Sequence, residues 1–436
     1  MYQQLIDYIR DKEILILGFS REGHSTYNFI RRHLPDKHLS IADMRQIEIE
    51  DENVTLFCGE GYLDTIEKAD IVIKAPGVPL LHFQKPDGVE ITCQTDLFLR
   101  FADCVCVGVT GTKGKTTTST LIYSMLRTAG KSACLIGNMG YPVFDSIEDC
   151  KDEIAVIEMS SHQLEFTTRS PHIAVLTNIY PEHLDHYDSF ECYAAAKLNI
   201  ERYQSAGDIF IYNSDQGLKG LFDPESYAGE AVGVSVNDPD ARDFEGLNNR
   251  LIGRHNLHDC LFAARAADRL GVSHADIIKA LENYEGIEHR LEPVGVVGSI
   301  KFYNDCIATI PHAVMCAVEA LGDVDSLIFG GMDRGLDYSA FEAALEKSSI
   351  RNLICMPDTG HKIGMHMAEL GSDKNIVVVE DMEGAVRAAL SVTQKGKSCL
   401  LSPAAPSYNR YKDFEEKGRH FKSILRRIAE LGGKTN

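Results

Sequence analysis

A strand, a glycine turn and a helix follow one another between Cys104 and Leu126, and this segment constrains the fold more than any other. It reads CVCVGVTGTKGKTTTSTLIYSML: an apolar run, then Gly111 and Gly114, then Lys115. Apolar residues recur on one face of the part that follows, which is typical of an amphipathic helix. A glycine turn between a buried strand and a helix directs backbone N–H groups and the positive helix end toward one anionic point. The segment therefore predicts a parallel α/β sheet with a phosphate-binding loop at its edge.

The loop departs from the full pattern G-x-x-x-x-G-K-[ST], because Val109 stands where the first glycine is required. The shorter loop can still serve a nucleotide, since the Lys115 ammonium can reach the β- and γ-phosphates and the Thr116 hydroxyl can ligate Mg²⁺. The alternative is an ordinary glycine turn with a solvated lysine, but the flanking strand and helix favour ATP. The residues predicted to hold ATP here are Gly111, Thr112, Lys113, Gly114, Lys115, Thr116 and Thr117.

Length and charge limit the class of protein. A chain of 436 residues is long enough for about three domains of roughly 150 residues each. Its formal net charge of −20 argues against nucleic acid or an anionic membrane as a partner. We expect a cytoplasmic protein, because no secretory signal is present and no apolar run approaches the roughly 20 residues that span a bilayer. The twelve cysteines include no CxxC pair, which predicts buried thiols in a reducing compartment.

Strands and helices alternate along the chain, which predicts an α/β fold built of parallel units. In the first block, the apolar segment 13–17 leads into a turn at Gly18, and a second strand ends at Asp43. That turn resembles a dinucleotide fingerprint with Ser20 in place of the second glycine, and a plain strand-to-helix turn is the alternative. The predicted domains are an N-terminal Rossmann-like domain over 1–97, a central ATP-binding domain with a mostly parallel sheet over 98–286, and a C-terminal Rossmann-like domain over 287–436.

Two more strands of the central block end in side chains that suit metal chemistry. Glu158 ends the apolar strand of AVIEMSSHQLE, where it suits Mg²⁺ beside a phosphate loop, although it also fits a helix-capping acid. His183 follows a strand that ends at Asn178, and a lone histidine there is more often a surface residue than a metal ligand. Because the carboxyl ends of parallel strands meet at one sheet edge, we expect Glu158 and His183 to lie near the phosphate loop.

Motifs spread over residues 108–420 occur in the order found in the Mur ligase family. These motifs are VTGTKGKTTT, EMSSHQLE, LTNIYPEHLDHY, AAAKLNI, NSD, GRHNLHD, HRLE, YND and LSPAAPSYNRYKDFEEKG. The chain most resembles the branch that joins glutamate to UDP-N-acetylmuramoyl-L-alanine. The resemblance implies an ATP-dependent, ADP-forming ligase that makes a C–N bond through an acyl phosphate, in cytoplasmic peptidoglycan precursor synthesis. It implies a monomer that handles small molecules and thereby supports cell-wall growth, cell shape and division.

The resemblance also implies catalytic and metal-binding roles for individual residues. Lys115 would hold the γ-phosphate, Thr116 and Glu158 one Mg²⁺, and His183 with a carbamylated Lys197 a second Mg²⁺. The sequence by itself predicts that Lys197 is a solvated lysine on a helix. The further ATP contacts implied are Asn256, His289, Arg290 and Asp305, with His289 near the adenine.

The substrate contacts are implied in the same way. Those for uracil and diphosphate are Arg21, Glu22, Asp43 and Arg45, and those for muramoyl-alanine are Asn138, Ser160, Gln163 and His183. Those for glutamate are Thr309, Arg334, Ser407, Tyr408 and Phe414, of which Phe414 also fits core packing. The last domain would swing toward the central one to bring glutamate to ATP.

Three positions depart from the family pattern: Ile307 replaces the lysine of N-D-S-K-A-T, Arg334 stands where a lysine is common, and Asp259 replaces an asparagine near the adenine. The loss of the lysine charge at position 307 could change which glutamate enantiomer is accepted. We expect that the D-form is the substrate. The alternatives are the same ligase using L-glutamate, a folylpolyglutamate-synthase-like ligase, and a nucleotide sensor without turnover. The N-terminal block argues against the folylpolyglutamate-synthase-like ligase. The residues that argue against the sensor are Lys115, Thr116, Glu158, His183 and Lys197, all of which are present.

Overall fold

The computed structural model of the protein describes residues 2–80, 83–137, 142–148, 150, 152–183, 186–216, 218, 220–248, 251, 253–333 and 337–432. The chain divides into two compact units, Met1–Tyr284 and Glu285–Asn436. Strands and helices alternate through both units, and the strands form three sheets. The mixed α/β architecture with parallel sheets that the sequence predicts is confirmed.

The first sheet lies in the first unit and has five parallel strands. Its elements are α1 (Tyr2–Ile9), β1 (Ile14–Leu17), α2 (Arg21–His33), β2 (Leu39–Asp43), β3 (Val54–Cys58), a 3-10 helix (Tyr62–Lys68), β4 (Ile71–Lys74), β5 (Glu90–Thr92) and α3 (Gln94–Phe101). The strand order is β3-β2-β1-β4-β5. Every residue of β1 and β4 is buried, as expected for central parallel strands covered on both faces.

The second sheet, also in the first unit, has six parallel strands in the order β11-β10-β9-β6-β8-β7. Its elements are β6 (Cys106–Thr110), α4 (Lys115–Thr128), β7 (Ala133–Gly137), a 3-10 turn (Val143–Asp145), β8 (Ile154–Glu158), α5 (Ser161–Leu164), β9 (Ile173–Leu176), α6 (Phe190–Arg202), β10 (Ile209–Asn213), β11 (Glu230–Val234), a 3-10 turn (Pro239–Asp243), α7 (Arg254–Arg269) and α8 (His274–Glu282). Leu121, Ile122 and Met125 are fully buried on the apolar face predicted for α4.

The expectation of free thiols is wrong for one pair. Cys134 in β7 and Cys150 form a disulfide. Their Cα atoms are 5.8 Å apart, within the span that a disulfide can bridge. No motif in the sequence predicts this pair, because the fold rather than a CxxC spacing brings the two cysteines together. The other described cysteines are free, and most of them are buried as predicted.

The third sheet makes up the second unit, with the strand order β12-β13-β17-β14-β15-β16. Its elements are β12 (Glu292–Val297), β13 (Ile300–Asn304), α9 (Pro311–Leu321), β14 (Val324–Phe329), α10 (Ser339–Lys347), β15 (Asn352–Cys355), α11 (Thr359–Glu369), β16 (Asn375–Val378), α12 (Met382–Val392), β17 (Ser398–Leu401) and α13 (Phe414–Gly432). The antiparallel hairpin of β12 and β13 departs from the parallel Rossmann-like unit expected over residues 287–436. Gly298 and Ser299 both have positive φ, which suits the tight turn of such a hairpin.

The three-domain division at 97/98 and 286/287 stays a prediction. Helix α3 runs across the first of these boundaries, and the second lies two residues beyond the division between the compact units. In the described part of the chain, every helix is too short or too polar to cross a bilayer.

Candidate active site

The loop between β6 and α4 contains two positions that only glycine fills without strain. Gly111 has φ +152°, and a Cβ on it would lie 1.9 Å from Thr177 Oγ1. Gly114 has φ +89° and is the N-cap of α4. Because neither position carries a side chain, an anion can approach the backbone N–H groups and the positive end of α4 closely. The strand, glycine turn and helix lie as the sequence predicts, and the binding of phosphate by this loop stays a prediction.

Two lysines meet at one carbonyl oxygen of this loop. Lys115 Nζ donates to Gly111 O at 3.0 Å and to Thr112 O at 3.2 Å. Lys197 Nζ, from α6, donates to the same Gly111 O at 2.9 Å. Lys197 is only 2% exposed, and burial together with the charge of Lys115 lowers its pKa well below the usual range. Lys197 is therefore not the solvated helix lysine that its sequence suggests.

The end of β9 fixes the shape of the phosphate loop. Asn178 Oδ1 accepts a hydrogen bond from Lys113 N at 2.9 Å. Thr112 Oγ1 accepts from Tyr180 N at 2.9 Å and lies 3.0 Å from the hydroxyl oxygen of Tyr193 on α6. Tyr193 was not predicted as a site residue, because no motif near it in the sequence indicates this contact. These bonds hold the loop between two neighbouring elements of the central sheet.

Glu158 lies at the same edge of the central sheet as the phosphate loop. It ends β8, is 2% exposed, and pairs in the parallel ladder with Val109, two residues before Gly111. Thr116, half-buried in the first turn of α4, follows the loop. The next helix, α5, is capped by Ser160 rather than by Glu158, and Ser160 Oγ accepts from Gln163 N at 3.2 Å.

Three histidine rings cluster beside this edge. The rings of His162 and His183 are 4.9 Å apart, and those of His162 and His186 are 4.2 Å apart. Burial and the neighbouring charges of His186 and His183 lower the pKa of His162 to about 3. Of these three histidines, only His183 is predicted from the sequence as a site residue, although the H-x-x-H spacing of His183 and His186 is a usable signal. Leu184 and Asp185 lie outside the described residues.

The predicted uracil and diphosphate contacts lie at the carboxyl ends of β1 and β2. Asp43 Oδ2 accepts from Phe19 N at 2.7 Å, and Oδ1 accepts from Arg45 N at 2.8 Å. Burial would raise the pKa of Asp43, but hydrogen bonds from Arg45 and Phe19 bring it to about 2. Arg45 is 64% exposed in its side chain, and Arg21 is an exposed residue at the start of α2. An ionised carboxylate thus braces the turn at Gly18, and the Arg45 guanidinium donates to that carboxylate.

Glu22 and Gln163 contact each other rather than standing as separate ligand-binding groups. Gln163 Nε2 donates to Glu22 Oε1 at 2.7 Å, and Gln163 Oε1 accepts from Ser160 N at 2.9 Å. Burial raises the pKa of Glu22 to about 7, against the lowering effects of Gln163 and Lys74. Their predicted substrate contacts remain predictions. Asn138 lies outside the described residues.

In the second unit, three predicted ATP contacts shape one loop. Asp305 Oδ2 accepts from Ser402 Oγ at 2.7 Å, and burial raises the pKa of Asp305 to about 6. His289 is 2% exposed, and its Nδ1 accepts from Asn304 Nδ2 at 2.8 Å. Arg290 follows, half-buried. The hydrogen bonds of Asp305 and His289 lie within the unit, so their roles toward ATP stay predictions.

The loops after β13, β14 and β17 meet at the carboxyl edge of the third sheet. Ala404 N donates to Ala308 O at 3.0 Å, and Met332 N donates to Pro406 O at 2.7 Å. The predicted glutamate contacts lie in these loops and at the start of α13. Thr309 is half-buried, Ser407 is 2% exposed and Tyr408 is 62% exposed. Phe414 is half-buried, and its ring centroid lies 6.0 Å from that of His289. Arg334 lies outside the described residues.

Asp259 lies against the phosphate loop, although its position in the family pattern implied an adenine contact. It is 5% exposed, accepts from Thr118 Oγ1 at 3.3 Å, and its Oδ1 would lie 2.3 Å from a Cβ on Gly114. Asn256, also on α7, is half-buried. Beside the start of α7 is a cavity of about 390 Å³, lined in part by Phe244, Leu251, Arg254 and Leu257.

The fold and the site define an α/β protein with a glycine loop at the carboxyl edge of a parallel sheet, the edge at which such folds bind their ligands. The family model described as Mur ligase middle domain matches residues 109–227, and that described as Mur ligase, glutamate ligase domain matches residues 289–405. UDP-N-acetylmuramoylalanine–D-glutamate ligase of Clostridium botulinum strain Langeland is 31% identical over 98% of this chain and 99% of its own. The protein of the same name from Symbiobacterium thermophilum is 34% identical over 88% of this chain and 90% of its own. The chain belongs to the Mur ligase family.

Solved structures share the fold. UDP-N-acetylmuramate-alanine ligase MurC from Thermotoga maritima matches with a TM-score of 0.56 at 20% identity, covering 98% of this chain and 100% of its own. MurF ligase from Thermotoga maritima in complex with ADP matches with a TM-score of 0.58 at 18% identity, covering 96% and 97%. E. coli FolC in complex with DHPP and ADP matches with a TM-score of 0.55 at 18% identity and covers 81% of this chain and 99% of its own.

Proposed function

We propose that this chain is an ATP-dependent ligase that joins D-glutamate to UDP-N-acetylmuramoyl-L-alanine, a cytoplasmic step of peptidoglycan precursor synthesis carried out by a monomer. The observation that carries the proposal is the similarity to a ligase of that name over 98% of the chain. The phosphate loop and the buried carboxylate beside it supply the groups that such a reaction requires.

The proposed reaction has two steps. First, a carboxylate oxygen of the alanine attacks the γ-phosphorus of ATP, the bond from that phosphorus to the bridging oxygen breaks, and ADP leaves. The amine of glutamate then attacks the acyl carbon, and the tetrahedral intermediate loses inorganic phosphate and a proton to give the amide. Negative charge collects on crowded oxygens in both steps, so catalysis depends on cations held close to them.

The first cations lie at the phosphate loop. Lys115 would neutralise the γ-phosphate, to which the loop and the N-terminus of α4 are directed. The Thr116 hydroxyl and the Glu158 carboxylate are oxygen ligands of the kind that Mg²⁺ prefers. Bound Mg²⁺ would supply further neutralisation of the phosphate oxygens. The buried position of Glu158, paired with Val109 just before the loop, supports this assignment.

A second Mg²⁺ would be held by His183 and a carbamylated Lys197. Carbamylation joins the neutral amine of Lys197 Nζ to the carbon of CO₂ and releases one proton, which converts the amine into a carbamate with a negatively charged carboxylate group. The burial of Lys197 Nζ against Gly111 O supports this, because an oxygen ligand there would lie beside the phosphate loop. A carbamate signal in ¹³C NMR after addition of ¹³CO₂, absent from Lys197→Ala, would test the assignment.

We propose three domains, each built on one sheet. The first binds the uridine diphosphate group beside Asp43 and Arg45, whose hydrogen bonds already order the turn at Gly18. The central domain binds ATP, with adenine in the cavity beside the start of α7, the helix that also carries Asn256. The last domain binds glutamate, and its movement toward the central domain would exclude water from the acyl phosphate. Small-angle scattering curves that stay identical with and without all ligands would contradict that movement.

The test of function is phosphate release from ATP with Mg²⁺ and UDP-N-acetylmuramoyl-L-alanine, with D-glutamate or L-glutamate added in parallel. Release with D-glutamate alone supports the proposal and shows that Ile307 does not prevent binding of that enantiomer. Release with L-glutamate alone keeps the mechanism and refutes the D-assignment. Release with neither refutes the ligase and favours a sensor. Lys115→Ala is the control, and its rate should fall to background.

A folylpolyglutamate-synthase-like activity is the second candidate. The likeness to FolC in fold favours testing it, although that structure covers only 81% of this chain. A folate substrate in the same phosphate-release assay separates the two. Turnover of the folate without turnover of the UDP-sugar would replace the first proposal.

A further inference from the structure

Two buried glutamines hold the first turn of α2. Gln94, on α3, donates from Nε2 to the backbone oxygen of Glu22 at 2.8 Å. Gln163, on α5, donates from Nε2 to the Glu22 carboxylate oxygen Oε1 at 2.7 Å. Both glutamines are 1% exposed, so water does not compete for these bonds. The helix that follows the Gly18 turn is thereby fixed to elements outside the first sheet.

The path of hydrogen bonds continues to the edge that carries Glu158. Gln163 Oε1 accepts from Ser160 N at 2.9 Å, and Ser160 Oγ accepts from Gln163 N at 3.2 Å. Ser160 lies two residues after Glu158, in the turn that ends β8. The backbone donor at Ser160 fixes which way the Gln163 amide faces, so its nitrogen must point to Glu22. Glu22, Gln163 and Ser160 therefore form a bridge from the first sheet to the proposed Mg²⁺ site.

The second oxygen of the same carboxylate lacks a donor. Oε2 of Glu22 is shielded from solvent and has no hydrogen-bond partner among the residues that the structure describes. A shielded oxygen without a donor is unfavourable unless a ligand supplies one. As a hydrogen-bond acceptor, Oε2 suits a hydroxyl or an amide N–H, both of which a nucleotide-linked N-acetyl sugar carries. Burial raises the pKa of Glu22, while the hydrogen bond from Gln163 and the charge of Lys74, from β4, lower it.

We propose that Glu22 is a positioning residue that couples the two substrate sites: Oε2 accepts a hydrogen bond from the sugar nucleotide, while Oε1 holds Gln163 and through it the turn after Glu158. This inference rests on the proposed function, because it takes the sugar nucleotide and Mg²⁺–ATP as the two ligands. Occupation of one site then makes the other site more favourable, since both ligands stabilise one arrangement of the bridge.

The coupling is measured as a ratio of two dissociation constants. UDP-N-acetylmuramoyl-L-alanine is titrated into the full-length protein by calorimetry, with and without Mg²⁺ and a non-hydrolysable ATP analogue. For the wild type we expect the analogue to tighten sugar-nucleotide binding by about ten-fold. In Glu22→Ala, which removes both carboxylate oxygens, we expect the ratio to fall to about one.

Two variants separate the two oxygens. In Glu22→Gln, the amide oxygen must face Gln163 Nε2, so the bridge is kept while an NH₂ group replaces Oε2. We expect weaker sugar-nucleotide binding and a raised KM for that substrate, with the coupling ratio and kcat preserved. Asp43→Asn is the matched control, because it alters the same turn without touching the bridge; it should weaken binding and keep the ratio.

The outcomes distinguish this inference from the proposed function. A wild-type ratio of one, or an unchanged ratio in a folded Glu22→Ala protein, overturns the coupling even if the wild type turns over. A Glu22→Gln protein that binds the sugar nucleotide as tightly as the wild type overturns the role of Oε2. Absence of turnover with every substrate tested overturns the proposed function instead. Thermal melting checks folding, which the bond from Gln94 to the Glu22 backbone should help to preserve.

Discussion

Lys417 presents a buried positive charge whose effect on stability can be measured through pH. It lies on α13, is 2% exposed, and donates from Nζ to Gly330 O at 2.6 Å. Burial lowers its pKa from 10.5 to about 8. Between those two values the unfolded chain binds a proton that the folded protein does not, so stability must rise with pH in this window. Below it, the charged lysine lowers the free energy of unfolding by about 3 kcal/mol, at about 1.4 kcal/mol per pKa unit.

Lys417→Met removes the titration while keeping an unbranched side chain of similar length. Between about pH 7 and about pH 9.5, the free energy of unfolding of the parent should rise by about 2 kcal/mol relative to that of the variant. Because the chain has no tryptophan, Tyr303→Trp in both proteins gives a fluorescence signal from β13 in the second unit alone. Urea titrations at several pH values then yield the difference.

Lys422, on the same helix, is the control, because its pKa is raised whereas that of Lys417 is lowered. Burial opposes its charge, but ion pairs with Glu288 at 2.5 Å and Glu292 at 2.8 Å raise its pKa above 10.5. Its contribution is complete below 10.5 and is lost only above its raised pKa, so Lys422→Met should give a flat difference across the window. A flat or falling difference for Lys417→Met would refute the argument about buried charge.

Three further outcomes follow from the phosphate loop. Asp259→Asn removes a carboxylate that lies beside Gly114, so KM for ATP should fall several-fold in steady-state kinetics; an unchanged or higher KM would contradict repulsion. Gly111→Ala should abolish binding of a fluorescent ATP analogue and cost at least about 2 kcal/mol of stability, since its Cβ would lie 1.9 Å from Thr177 Oγ1; retained binding would show that the loop can rearrange. Glu158→Gln should raise the Mg²⁺ concentration for half-maximal rate by at least about ten-fold, and an unchanged Mg²⁺ titration would exclude Glu158 as a ligand.

The parts that the sequence predicts well are those whose cause is local. The phosphate loop needs a strand, Gly111, Gly114 and the start of α4, all of which lie within a short segment. The hairpin of β12 and β13 was not predicted, because Pro293 and Gly295 weaken the strand pattern and half of the residues of β12 are exposed to solvent. The capping box at Ser160 also has a local cause, because its two members are three residues apart, but the sequence interpretation placed the cap at Glu158 instead.

The parts that could not be predicted depend on residues far apart in the chain. Glu22 and Gln163 are separated by 141 positions, and nothing near either residue indicates the other. The same holds for Asp259, which reaches the phosphate loop only because α7 packs on α4. Burial of Lys197 is likewise invisible in AAAKLNI, since the tertiary contact with Gly111 creates it.

The single carbonyl of Gly111 that accepts from two lysine side chains has a practical consequence for enzymology. Lys115 and Lys197 both donate to it, which holds the Lys115 ammonium beside a loop that is shaped for an anion. Inorganic phosphate and sulfate carry the charge and oxygen geometry of a nucleotide's terminal phosphoryl group. Phosphate or sulfate in the buffer should therefore compete with ATP and raise its apparent KM, whereas a zwitterionic buffer should not. The choice of assay buffer becomes a variable of the kinetics, and accumulating phosphate should slow the enzyme during a long reaction.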